Sequence, residues 1–265
     1  MSYLYDLFSL VGKVAVTIGS GGVLGGAMAE ALAKAGARVA VLDLDEDAAH
    51  QRALEIRSDN GTDAMGVRVD ATRREDLEGA LDQVVGEWGR VDVLLNAPGV
   101  NSATPFLEIT EQEWQRILDV NLRSMYIACQ VFGRRLIDQR DGGSVINISS
   151  ASSGPPLSKV FTYSITKAGV NNLTQFLARE WAPHRVRVNA IAPGFFPAEQ
   201  NRKVLTADRI DSIMGHTPMN RFGEPEELAG AVVWLASVRP NPMFATRLTF
   251  GIIARPFCDQ QAYFH

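Results

Sequence analysis

The chain has little cysteine, little histidine and no long apolar run, and each scarcity removes a class of function. Cys129 and Cys258 stand far apart, so neither a disulfide framework nor a thiolate zinc site can be drawn from their spacing. The four histidines, His50, His184, His216 and His265, have no ligand spacing, which gives the expectation of no metal site. Twenty-six Lys and Arg stand against 30 Asp and Glu, and the basic residues are scattered, so no charged stripe invites nucleic acid or an anionic membrane. The apolar charge-free stretch Val14 to Ala29 is glycine-rich and short for a membrane span. The opening "MSYLYDLFSLVGKVAV" has an early Asp6, no basic leader and no small-residue cleavage pattern. The expectation is a cytoplasmic protein with reduced thiols and a small-molecule partner.

What is present is an alternation. Strand-length apolar runs, "VAVTI" (14–18), "RVAVL" (38–42), "GVRV" (66–69), "VDVLL" (91–95), "SVINIS" (144–149) and "RVNAI" (187–191), are separated by helix-length segments. They are rich in Val and Ile with little polar alternation, as strands covered on both faces should be. The pattern predicts an α/β protein with a doubly wound parallel sheet, in one domain over 1–265. Gly36 is placed to close the first long helix. Thr110 and Glu113 read as a capping box opening a helix that runs toward Gly142 and Gly143, and Pro225 suits a helix start.

The stretch "TIGSGGVLGG" (17–26) lies between the first strand and the first long helix, where a parallel sheet binds a pyrophosphate through helix N-terminal amides. Ser20 breaks the G-x-G-x-x-G spacing and Val23 breaks G-x-x-x-G-x-G. Asp43 ends the second strand eighteen residues after Gly25, near the position from which a carboxylate accepts hydrogen bonds from the adenosine ribose. The candidate dinucleotide contacts here are Gly19, Gly22, Val23, Leu24, Gly25 and Asp43, and an aspartate at 43 favours NAD over NADP. A plain flexible turn, with Asp43 as a helix N-cap, is the alternative.

Tyr163 and Lys167 are four residues apart and share a face if helical. A neighbouring ammonium stabilises phenolate, which would bring a phenol toward service as a general base. Ser150 ends the strand run "SVINIS", adding a hydroxyl at the carboxyl edge of the sheet.

Taken with "LLNAPG" (94–99), "VNL" (120–122) and "VRVNAIAPG" (186–194), these residues resemble the short-chain dehydrogenases/reductases from about Leu10 to Ser237. The resemblance implies a three-layer αβα, Rossmann-like fold, a nicotinamide cofactor and a homo-oligomer, tetramer or dimer. It implies that Tyr163 moves a proton to or from the substrate oxygen, that Lys167 tunes it and holds the nicotinamide ribose, and that Ser150 orients the reacting oxygen. Asn121 would hold a water linking Lys167 to solvent. Asp70, Asn96, Gly99, Pro193 and Gly194 would complete the cofactor contacts. The segments "APGFFPAEQNR" (192–202) and "HTPMNRFGEPEEL" (216–228) are similar to the D-mannonate oxidoreductase branch, which acts on sugar acids. That likeness makes Asn101, Gln200, Asn201 and Arg202 substrate candidates beside Ser150, within a lid near 195–222.

Four positions depart from the family pattern: Ile18 where Thr is usual, Val23 for Gly, Pro98 for Ala and Ala198 for Thr. The stretch from 239 to 265 departs most, with only "FATR" and "LTFGII" suggesting a closing strand. Other polyols or ketones as substrate, or a weakly catalytic dinucleotide-binding sensor, are the competing expectations.

Overall fold

The apolar runs do become strands, and each is buried to the degree that its neighbours cover it. The computed structural model describes residues 3–154, 160–196, 207–215, 217, 219–237 and 247–250. Its strands are β1 (Val14–Ile18), β2 (Arg38–Asp43), β3 (Ala64–Arg68), β4 (Val93–Asn96), β5 (Gly143–Ile148), β6 (Val186–Pro193) and β7 (Arg247–Phe250). All residues of β1 and β4 are buried, whereas β3, at one edge, has a single buried residue, Ala64. The order is β3-β2-β1-β4-β5-β6-β7, with every pair parallel. Chain order runs outward in one direction from β1 and in the other from β4. Their junction is therefore the reversal point of the sheet, where ligands of such folds bind beyond the carboxyl ends of the strands.

Helices cover both faces. They are α1 (Tyr3–Phe8), α2 (Val23–Lys34), α3 (Glu46–Asn60), α4 (Arg74–Trp88), α5 (Glu111–Leu118), α6 (Ser124–Asp138), α7 (Phe161–Trp181), α8 (Ala207–Gly215) and α9 (Ala229–Ala236). One apolar core joins α2, α3 and α9 to one face of the sheet through Leu32, Val39, Val41, Leu95 and Leu235. The other joins α4, α6 and α7 through Val16, Leu77, Phe132, Val145 and Val188. These two cores make the three-layer αβα arrangement.

Local chemistry explains the element ends. At the end of α2, Gly36 has φ +101° and donates to the Ala33 carbonyl, while Ala37 donates to that of Leu32. This reciprocal pair closes a helix through a left-handed residue, as the glycine predicted. Strand β4 begins two residues later than expected, and just before it Asp92 bonds both neighbouring strands through its backbone while its carboxylate accepts from the Val14 amide at 3.0 Å and from Lys13 and Arg90. Thr110 does cap α5 by accepting from the Glu113 amide at 3.1 Å. The Glu113 carboxylate, however, accepts from Thr104 Oγ1 at 2.9 Å, so the expected box gives way to a tie between α5 and the loop after β4.

The long helix expected from 111 to the glycines at 142 is divided. Between α5 and α6 lies a π turn, Asp119–Arg123, and α6 ends at Asp138. A π turn is a one-residue insertion into a helix, frequently found where a side chain must be aimed at a site. The sheet closes with Arg247–Phe250, which pairs with β6 from Ala190 to Pro193, within the region whose sequence departs most from the family.

Candidate active site

The turn leaving β1 is built around close backbone approach. Gly19 has φ +72°, and a methyl group there would come within 2.8 Å of the Pro98 backbone, so the turns after β1 and β4 press directly on one another. A methyl at Gly25 would collide with the Gly19 carbonyl oxygen. Gly22 has open space where its side chain would be, and it caps α2 without any side-chain hydrogen bond. The first amides of α2 thus face the crevice with no side-chain cap, at the positive end of a twelve-residue helix. Ser20 adds a fully buried hydroxyl with no protein partner beneath the same turn. These residues fit the pyrophosphate of a dinucleotide.

The two substituted positions in this turn differ in their surroundings. Ile18 is buried in the core, and Val23 is 44% exposed as the first residue of α2. Asp43 lies beside the turn: its carboxylate accepts from the Gly21 amide at 2.9 Å and from the Asp45 amide at 3.1 Å. The N-cap of α3 is Asp45, which accepts from the Ala48 amide, so the cap alternative for Asp43 is set aside. Asp70 accepts from the amide and hydroxyl of Thr72. Partial burial alone would raise its carboxyl, but these bonds and the nearby Arg73 and Arg68 hold it below the usual carboxylate range.

Across the crevice, α7 brings Tyr163 and Lys167 onto the end of β5. Lys167 is buried and its Nζ donates to the Ile148 carbonyl at 2.8 Å. Its Nζ also lies 5.6 Å from the centre of the Tyr163 ring. Ser150 hydrogen-bonds Tyr163 from the turn after β5. Burial pushes the Tyr163 phenol above its ordinary value, with the Ser150 bond opposing. Burial also pulls Lys167 down to about 7. The expectation that the ammonium lowers the phenol is thereby corrected for this state of the site: desolvation is the larger effect, because it disfavours the charged form of both groups.

Asn121 is fully buried in the π turn, accepting from the Val100 amide at 2.7 Å and donating to the Val100 carbonyl at 2.9 Å and to Thr166 Oγ1 at 3.3 Å. Its side-chain amide holds the strand-end loop. That clamp fixes Gly99, where a methyl would stand 3.6 Å from Lys167 Nζ and 3.8 Å from Asn121 Oδ1. The Asn96 side-chain amide donates to Asn147 Oδ1 at 2.9 Å across the β4–β5 register and to Cys129 Sγ at 3.5 Å, tying the two strands inside the core. Pro193 ends β6 and Gly194 follows it, with the Gly223 amide donating to the carbonyl of the next residue, Phe195.

Of the substrate candidates, Asn101 follows this clamped loop and accepts from the Ser102 amide, starting a chain through Ser102 and Thr104 to Glu113. Gln200, Asn201 and Arg202, with Ala198 and much of the expected lid, lie outside the described residues. Among the described residues no cluster of three His, Cys, Asp or Glu could hold a metal ion, and no helix is long and apolar enough to cross a membrane. Sequence reasoning missed Ser152, Ser153 and Asn171, which surround Ser150. The one available signal was spacing, since Asn171 follows Lys167 by four residues just as Lys167 follows Tyr163.

Comparison with known proteins agrees with this geometry. A family model described as enoyl-(acyl carrier protein) reductase matches residues 21–246. UxuB of Bacillus subtilis (strain 168), an uncharacterized oxidoreductase, is 37% identical over 249 residues, covering 86% of this chain and 89% of its own length. The 2-dehydro-3-deoxy-D-gluconate 5-dehydrogenase of Escherichia coli (strain K12) is 35% identical over 236 residues, covering 88% and 92%. Among solved structures, a gluconate 5-dehydrogenase from Burkholderia cenocepacia J2315 in complex with NADP and tartrate superimposes with a TM-score of 0.87 at 30% identity, over 93% of this chain and 97% of that one.

Proposed function

This chain belongs to the short-chain dehydrogenase/reductase family and is an NAD(P)-dependent oxidoreductase, and we propose that it interconverts a sugar-acid alcohol and its ketone with NAD, in the manner of mannonate and fructuronate. The observation that carries the reading is the meeting of Ser150, Tyr163 and Lys167 opposite Gly99, at the reversal point where the glycine turn opens. A bound nicotinamide dinucleotide supplies the centre that accepts or donates hydride. Gly19, Gly22, Val23, Leu24 and Gly25 would hold its pyrophosphate, and Asp43 its adenosine ribose.

The chain's own groups handle the proton. In ketone reduction Tyr163 Oη donates to the carbonyl oxygen, and in alcohol oxidation it takes the hydroxyl proton back. Ser150 donates a hydrogen bond to the same oxygen and steadies the charge that develops there. Lys167 would hold the nicotinamide ribose and, in its charged form, would favour the phenolate. Asn121 keeps the loop carrying Gly99 and Asn101 in place through both Val100 backbone groups.

The choice of NAD rests on Asp43, because a ribose 2′-phosphate beside that carboxylate would set like charges together. Two unit charges about 4 Å apart repel by about 1 kcal/mol in water and about 4 kcal/mol at an effective dielectric of 20. A preference for NAD of at least about fivefold follows. The choice of a sugar acid rests on the relatives named for gluconate chemistry and on a polar strip from Asn101 to Glu113. Initial rates with NAD and NADP against aldonates, polyols and simple secondary alcohols test both. Turnover confined to hydrophobic alcohols would remove the substrate assignment, and equal rates with NADP would remove the role of Asp43.

A further inference from the structure

The hydroxyl of Ser150 is engaged from behind. A serine hydroxyl has one proton to give and two lone pairs to receive. Ser150 Oγ accepts from the Ser152 amide at 3.2 Å and from Ser152 Oγ at 3.0 Å. Both lone pairs are thereby occupied, and the single proton left is directed into the crevice, toward Tyr163. Ser152 is 3% exposed, so neither bond competes with bulk water.

The turn itself is tied to α7. Ser153 Oγ donates to the Ser150 carbonyl at 2.6 Å, and Asn171 Nδ2 donates to Ser153 Oγ at 2.8 Å. Asn171 stands two turns beyond Tyr163 on the same helix face, with Lys167 between them. Ser149 Oγ adds a bond to the Lys167 carbonyl at 3.1 Å. Asn171 Oδ1 is buried without a partner, so the donation to Ser153 is the one hydrogen bond of that side chain.

We infer that Ser152 and Asn171 are positioning residues: Ser152 restricts Ser150 to donating its proton toward the reacting oxygen, and Asn171, through Ser153, fixes the Ser150 turn against the helix that carries Tyr163. The inference rests on the roles proposed above for Ser150 and Tyr163. It adds that the direction of the Ser150 hydrogen bond is built into the protein rather than imposed by substrate.

Tyrosinate absorbance titration, with Tyr163→Phe variants subtracted to isolate Tyr163, tests this without any substrate. In Ser152→Ala a lone pair of Ser150 becomes free, its proton is no longer committed to Tyr163, and the Tyr163 midpoint should rise by about 0.5–1 unit. Ser152→Thr keeps the hydroxyl and should restore the original midpoint. An unchanged midpoint in Ser152→Ala overturns the role of Ser152. Asn171→Leu should lower kcat about three- to tenfold at unchanged dissociation constant for NADH, and an unchanged kcat strikes Asn171 from the proposal. A shifted titration in an enzyme that turns over no alcohol or ketone would support the positioning role and count against the proposed reaction.

Discussion

Burial acts on Tyr163 and Lys167 from one direction and changes their proton affinities in opposite ones. The phenol is held above its ordinary value, so it stays protonated through neutral pH and is ready as an acid for ketone reduction. Lys167, drawn down to about 7, carries its charge mainly on the acid side of neutrality. The phenolate fraction needed to oxidise an alcohol grows about tenfold per pH unit below the phenol's own value. The kcat/KM for oxidation should therefore climb toward alkaline pH, while that for reduction stays level from about pH 6 to 9. Paired initial-rate profiles check this, and an oxidation profile peaking below pH 7 would contradict it. At this scale the sequence displayed the types of the reacting groups but not their partners. Tyr163 and Lys167 were legible because four residues make one helical turn. Ser152 was not, because its bonds to Ser150 depend on the backbone path of a short turn. The direction of the Asn96 side chain was not legible either, because it is set by pairing with Asn147, a contact across 51 residues of chain.

The π turn at Asp119–Arg123 is the element on which the site's second wall depends. Helical periodicity cannot disclose it, since one inserted residue leaves the apolar spacing on either side intact. The motif "VNL" marked its place without revealing its shape. Asn121→Ala would strand the half-buried Val100 amide and carbonyl, and one such loss costs about 2 kcal/mol. For a chain of this size that corresponds to a fall of roughly 4–8 °C in melting temperature. A thermal melt followed by far-ultraviolet circular dichroism measures it, and an unchanged midpoint would show that Val100 finds other partners. The turn after β1 carried the opposite kind of signal. Its glycines were visible, but the reason for Gly19 was not, because the Pro98 backbone that excludes a side chain there arrives from a turn about eighty residues on.

Over the whole molecule, the parallel sheet and its order follow from alternating apolar and helical segments, and that alternation was plain in the sequence. The seventh strand was faint because only four residues form it, and they lie in the stretch least like the family. What the fold accomplishes is placement: two turns from opposite halves of the sheet meet at β1 and β4, and α7 delivers Tyr163 and Lys167 to the end of β5 beside them. A protein that bound a dinucleotide only as a sensor could share this crevice, but it would have no use for a proton at Tyr163. The decisive measurement compares the parent with Tyr163→Phe, following NADH binding by calorimetry and sugar-acid turnover by initial rates. The account predicts equal NADH affinity and a loss of turnover of at least about a hundredfold. Equal turnover in the two proteins, or NADH binding with no turnover of any substrate by the parent, would contradict it.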